Sequence, residues 1–212
     1  MGYFLNIKMK IHQWQSREKE FSLVNDNKAK QFALRYINNQ DLVLDIGCGD
    51  CIFFDIVSSK KSNCKLYGFD IVEDALIICK NKGYSLVKNL NTVKTKFNVI
   101  TMFECFEHLD YEARLLQKKF IDTHLKDGGY FVLSFPNIKS ILSLIHYNDN
   151  PEHKMPYPLE SNIKKIFYNY DIIDRLYFNP WVNPIKIFHC LITGMDFNAV
   201  YNNVCYVLRI KQ

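Results

Sequence analysis

The longest apolar runs in this 212-residue chain fall well short of the roughly 18 residues a membrane-spanning helix requires, so no membrane span is expected. With 8 glycines, 6 prolines and no internal repeat, nothing points to a fibrous or low-complexity chain. The first twenty residues scatter charge throughout and lack an uninterrupted apolar core, so they do not read as a secretory signal. Asn6 stands where a myristoylated Gly2 would need Ser or Thr. A cytoplasmic location is the resulting expectation. A concentrated basic excess is lacking too: within the net +5, residues 41–150 carry thirteen Lys/Arg against fourteen acids, and the excess sits on the flanks. That lacks the basic stripe a nucleic acid would need, although it would suit an anionic small molecule. The seven cysteines are odd in number and lie in apolar segments such as "ALIICK", which reads as free buried thiols. Cys48 and Cys51 have C-x-x-C spacing, but no second C-x-x-C or H-x-H completes a zinc site, and a redox or metal role is the weaker reading.

What is present is 48% hydrophobic and 23% charged, enough apolar material for one core-forming domain. Residues 17–40 place Phe21, Val24, Phe32, Ala33, Tyr36 and Ile37 at helical spacing. Then "DLVLDI", "KLYGFDI", "YSLVKN", "FNVITMF" and "YFVLSFPN" read as buried strands. They are separated by helices over 52–60, over "EDALIICKNKG" with Gly83 as its C-cap, and over 111–125 with Leu115, Leu116 and Phe120 on one face. Strand and helix in this alternation predict a parallel sheet with helices on both faces. Beyond residue 137 the pattern loosens: helices are expected at "IKSILSLIHY", "NIKKIFYNY" and "NPIKIFHCLITGM". "DIIDRLYFNP" and "NNVCYVLRIK" read as strands, the last returning antiparallel at the sheet edge.

The stretch "LDIGCGDCIFF" puts a glycine turn between the first strand and the first helix, where backbone N–H groups and a helix N-terminus face a ligand. A dinucleotide would want G-x-G-x-x-G, and the third position here is Ile52. Instead Asp45 precedes Gly47 and Gly49. A carboxylate there repels a pyrophosphate but complements a sulfonium or ammonium group. Asp70, twenty-five residues on, ends the second strand, where it can accept two ribose hydroxyls or cap the next helix.

In order, "LDIGCGD", "YGFDIVEDAL", "FNVITMFECFEHL" and "LKDGGYFVLSFPN" resemble the class I S-adenosylmethionine-dependent methyltransferases over roughly residues 30–137. The resemblance is also to ubiquinone-pathway, MetW-like and surface-glycan methyltransferases. It implies an α/β fold: a doubly wound, mostly parallel Rossmann-like sheet with an antiparallel edge strand. The chain then divides into N-terminal helices (1–40), a cofactor-binding core (41–137), a substrate cap (138–200) and a last strand (201–212), all within one domain of 1–212. S-adenosylmethionine is the implied cofactor. Asp45, Gly47 and Gly49 would line its methionine portion, Asp70 would hold the ribose, and Ile71 would pack on the adenine. Asn89, followed by Leu90, falls where the family often has an Asp for the adenine amino group, and Phe103 and Glu104 would close the pocket. Cys51 departs from the pattern by replacing a third glycine.

Methyl transfer needs an acceptor atom aligned behind the methyl group and, in some cases, a base. His108 and His153 are the catalytic candidates, with capping as the other reading of His108. Glu104, Glu107, His108 and His153 also resemble the metal site of small-RNA 3′-end 2′-O-methyltransferases, so a metal is expected only under that alternative. Tyr147, Tyr157, Tyr168 and Trp181 give the cap aromatic faces, with Trp181 and Tyr168 read as packing it onto the sheet. The expected function is O-methylation of a small anionic acceptor such as a sugar nucleotide or glycan precursor. The alternatives are metal-dependent RNA 2′-O-methylation and a non-catalytic cofactor-fold subunit that stabilises a partner.

Overall fold

The computed structural model describes residues 27–139, 147–148, 150–155, 159–180 and 201–212. The expected helices before residue 27, most of that at 138–147, and that at 183–195 lie outside the described residues, as do Tyr157 and Trp181.

Helix α1 (Asn27–Ala33) runs into a 3-10 turn at Leu34–Tyr36 and leads to strand β1 (Leu42–Ile46). The alternation continues with α2 (Ile52–Lys60), β2 (Lys65–Phe69), α3 (Glu73–Asn81), the short β3 (Ser85–Leu86), β4 (Phe97–Phe103), α4 (Tyr111–His124) and β5 (Leu125–Pro136). Helix α5 (Glu160–Ile166), β6 (Tyr170–Pro180) and β7 (Tyr201–Ile210) follow. Seven strands form one sheet in the order β3-β2-β1-β4-β5-β7-β6. β1 to β5 pair in parallel, and β7 runs antiparallel to both β5 and β6. The antiparallel return expected at this end of the sheet is therefore β7, and β6 forms the rim beyond it.

The strands are apolar on both sides because helices cover both faces. Val43, Val99 and Val132 point to a cluster with Phe32, Phe53, Phe54 and Val57 from α1 and α2. Their neighbours Leu44, Ile100 and Leu133 point to the opposite cluster, with Ile121 of α4 and Ile163 of α5. Phe53, Phe54, Phe131 and Phe135 are fully buried, each contributing about 1.5–3 kcal/mol. Helix α3 ends as its sequence dictates: Gly83 takes φ +81°, and its N–H donates to the Lys80 carbonyl at 2.9 Å.

Helix α4 corrects one expectation. Asp110 caps it by accepting from Ala113 N–H at 2.9 Å, but the stripe of Leu115 and Leu116 faces outward. Ile121 and the stems of Arg114, Gln117 and Lys118 take the buried side instead. Long polar side chains can cover apolar surface while their heads find partners, as Arg114 does at the Leu109 carbonyl (2.8 Å) and Lys118 at Asp122.

Candidate functional site

The carboxyl ends of β1, β2 and β4 converge on the glycine turn. Gly47 adopts φ +78° and its N–H donates to the Phe69 carbonyl at 2.7 Å, which fastens the turn to the end of β2. A Cβ at Gly47 would lie 2.9 Å from Cys105 Sγ, so both the backbone conformation and the space demand glycine. Gly49, at φ +51°, donates its N–H to Asp70 Oδ2 at 2.9 Å. The other Asp70 oxygen accepts from the N–H of Val72, the N-cap residue of α3, at 2.9 Å. These two bonds fix the Asp70 carboxylate beside the turn. Ile71 next to it is 53% exposed, a large apolar side chain standing open at the rim.

Asp45 is 2% exposed and accepts a 2.6 Å hydrogen bond from the Thr101 hydroxyl of β4. Burial pushes its pKa up to about 7, and the Thr101 bond offsets only part of that. A buried carboxyl in this state gains most from a cationic ligand. Asn89 caps the 3-10 turn Leu90–Thr92 by accepting from Asn91 N–H at 2.9 Å, which occupies one lone pair of its amide oxygen. Leu90 is buried in the core beneath it. Phe103 packs edge-on against Phe53 with ring centroids 5.0 Å apart. Glu104 follows at φ +46°, with Oε1 accepting from the Ser134 hydroxyl at 2.9 Å and Oε2 from the Asn203 amide at 3.3 Å.

A second group gathers after β4. Glu107, in the 3-10 turn Phe106–His108, is 1% exposed, and its Oε2 has no hydrogen-bond partner among the described residues. Burial and then the charge of Glu104 hold its carboxyl well above the usual carboxylate range. The Glu107 carbonyl accepts from Lys154 and Met155 N–H at 2.8 and 3.0 Å, which brings the loop carrying His153 over the turn. The two imidazoles then lie with ring centroids 4.9 Å apart. Each is oriented by a main-chain acceptor: His108 Nδ1 donates to the Glu152 carbonyl (3.3 Å) and His153 Nδ1 to the Tyr147 carbonyl (2.9 Å). Both Nε2 atoms therefore carry lone pairs, and that of His153 accepts from the Asn150 amide at 3.3 Å. Burial lowers both pKa values, and that of His108 falls further beside His153, so both rings are neutral. Oxygen of Glu107 and nitrogens of His108 and His153 lie within 4.8 Å of one another. A cleft of about 440 Å³, lined by Tyr147, Asn150, Pro151, His153, Lys154 and others, opens beside them.

Three features went unread in the sequence. Thr101 and Ser134 bond to Asp45 and Glu104, and the signal was present: each is a small hydroxyl in the buried, apolar stretch of its strand. Tyr168, expected to pack the cap onto the sheet, is instead 69% exposed beneath the Lys118 ammonium, 4.8 Å from its ring. The cysteines are not all free: Cys51 and Cys79 form a disulfide, while Cys48, Cys64, Cys105 and Cys205 are thiols. The two cysteines of the C-x-x-C are not bonded to each other.

A family model described as "Methyltransferase domain" matches residues 16–172. The mitochondrial ubiquinone biosynthesis O-methyltransferase of Candida albicans is 30% identical over 114 residues, 48% of this chain. The chain covers only 34% of that relative's length. A SAM-dependent methyltransferase from Archaeoglobus fulgidus superposes with TM-score 0.73 at 21% identity, over 92% of this chain and 98% of that one. Phosphoethanolamine N-methyltransferase 2 of Haemonchus contortus, solved with S-adenosyl-L-methionine, gives TM-score 0.61 at 13% identity, over 88% of this chain and 53% of that one. With the matched segment spanning most of the chain, the chain belongs to the methyltransferase domain family, and its fold is that of the class I S-adenosylmethionine-dependent enzymes.

Proposed function

We propose that this chain transfers a methyl group from S-adenosylmethionine to an oxygen of a small anionic acceptor, such as a sugar nucleotide or glycan precursor. The observation that carries the cofactor half is the placement of buried Asp45 at the end of β1 and of Asp70 just past the neighbouring β2, on either side of the Gly47–Gly49 turn. The bound cofactor supplies an electrophilic methyl on a sulfonium. Asp45, in its ionised form, complements the positive charge of the methionine portion, Asp70 accepts the ribose hydroxyls, and the exposed Ile71 offers the adenine an apolar face. Asn89 and Leu90 line the adenine end, and Phe103 and Glu104 close the pocket.

Oxygen as the acceptor atom is supported by the name of the Candida albicans relative, an O-methyltransferase. The cap, residues 138–200, would hold the acceptor, with exposed Lys154 at the cleft to meet its negative charge. The neutral His108 and His153 would take the hydroxyl proton through Nε2, their Nδ1 atoms being tied to carbonyls. Incubation with methyl-labelled S-adenosylmethionine and a panel of nucleotide sugars tests this: labelled, base-stable O-methyl products are expected. Label found only in RNA would overturn the small-acceptor reading.

One observation favours a second reading, in which a divalent cation orients the acceptor hydroxyl. A carboxylate oxygen of Glu107 and one ring nitrogen each of His108 and His153 form a mixed oxygen and nitrogen donor set, and Glu107 Oε2 has no hydrogen-bond partner among the described residues. Glu107, His108 and His153 fit such an ion. Glu104, held by Ser134 and Asn203, would stand behind them.

A further inference from the structure

The disulfide joins the two walls of the proposed cofactor pocket. Cys51 is the N-cap of α2, the last residue of the glycine turn, and it takes φ +62°. Cys79 lies in the last turns of α3, the helix whose N-cap residue, Val72, donates its N–H to Asp70. Both sulfurs are fully buried, and the Cα atoms are 5.5 Å apart. Cys79 Sγ is hemmed in on its other sides: Cys48 Sγ is 3.9 Å away and the Gly49 carbonyl oxygen 3.3 Å. Cys48 in turn has no room to retreat, because it packs against Gly68, where even a Cβ would come within 2.8 Å of its sulfur.

We infer that the Cys51–Cys79 disulfide is a redox clamp on the cofactor turn, and that its reduction weakens cofactor binding. The inference rests on the reading that S-adenosylmethionine occupies the pocket between Asp45 and Asp70. The disulfide is a covalent tie between the glycine turn, at Cys51, and α3, at Cys79. That turn also presents Gly47 and Gly49 to the ligand and holds Asp70 through the Gly49 N–H. Opening the bond releases the turn from α3 at the residue where the chain holds a left-handed φ of +62°, a conformation a non-glycine residue tends to leave.

The reaction balances with a dithiol reductant. The disulfide takes two electrons and two protons, Cys51 and Cys79 become thiols, and the reductant leaves as its own disulfide. Linkage then requires reciprocity: if the disulfide strengthens cofactor binding by some factor, the cofactor protects the disulfide against reduction by the same factor.

The test uses the full chain and S-adenosylhomocysteine. Thiol mapping of the air-oxidised protein should recover the Cys51–Cys79 peptide pair, and calorimetry should show binding weaker by at least about fivefold after treatment with a dithiol. In Cys79→Ala the affinity should be the same with and without dithiol. Saturating ligand should lower the reduction midpoint of the wild-type disulfide, by about 30 mV for a tenfold affinity ratio. The midpoint measurement needs no variant, so the clamp stays testable if Cys79→Ala fails to fold. Seven free thiols in the oxidised protein, equal affinity in both redox states, a dithiol effect that persists in Cys79→Ala, or an unmoved midpoint would each overturn the clamp. Equal, tight binding in both states would leave the cofactor assignment standing, whereas no binding in either state would overturn both.

Discussion

The Thr101 hydroxyl donates to the Asp45 carboxyl at 2.6 Å across the β1–β4 pair, inside the sheet and away from solvent. The carboxyl proposed to meet the cofactor's cationic end is thus held by a neutral donor, and burial pushes its pKa up to about 7. Ligand binding must draw the carboxyl into its ionised form.

Cofactor affinity should therefore rise with pH. A ligand that requires ionised Asp45 binds about tenfold more weakly one unit below the pKa, at about pH 6, than on the alkaline plateau. Calorimetry with S-adenosylhomocysteine across this range checks the slope, and Asp45→Asn should flatten it while weakening binding. Folding of the ligand-free protein should respond in the opposite sense. Because the folded pKa lies above the unfolded value of 3.8, the stability contributed by protonated Asp45 is complete below about pH 4 and is lost as the pH rises through about 7. Thermal melts with and without ligand would separate the two trends.

Gly47→Ala should abolish detectable cofactor binding. The alanine must hold φ +78° and place its methyl 2.9 Å from Cys105 Sγ. The conformational part alone costs about 1–2 kcal/mol. Relief comes only by moving the turn away from β4. Cys105→Ala in the same background should recover part of the stability, since it removes the clashing sulfur, and denaturant titration reads both effects.

His108 and His153 give the expected base an acid-shifted range. Both pKa values lie below the ordinary histidine value, so the acidic limb of kcat/KM for methyl transfer should fall below about pH 6.5. Loss of the base should lower kcat by about 10²–10⁴-fold, with cofactor affinity unchanged. Steady-state kinetics of His108→Ala and His153→Ala identify which ring acts.

A chelator separates the two readings of that pair. If the imidazoles act as bases alone, activity survives exhaustive chelation and Glu107→Gln has a modest effect. If they hold a cation with Glu107, chelation abolishes activity, an added divalent ion restores it, and Glu107→Gln weakens the response to that ion. Turnover measured against free metal concentration distinguishes these outcomes.

Much of this architecture was legible because buried parallel strands announce themselves. "LVLDI" and "FNVITMF" have no polar face to confuse with a surface strand, and the glycines and acids between them mark the ligand edge. Helix α4 was misread for a physical reason. Its Leu115–Leu116 stripe looks like a core face, while the true buried face is built from Ile121 and the stems of Arg114, Gln117 and Lys118, which no hydrophobic pattern detects. The Cys51–Cys79 bond joins residues 28 apart on a turn and a helix, and only the packing of α3 beside the glycine turn brings them together. The convergence of His153 on His108 was similarly hidden, since it depends on main-chain bonds from Lys154 and Met155 to Glu107 rather than on any side-chain motif.

The central claim, that the Asp45–Asp70 pocket binds S-adenosylmethionine, is tested most directly by titrating S-adenosylhomocysteine into the wild-type chain and into Asp70→Ala. The account predicts saturable binding at one site per chain in the wild type, and a loss of about tenfold or more in the variant, the scale of a charge-assisted hydrogen bond. No binding to the wild type, or binding undiminished in Asp70→Ala, would contradict it.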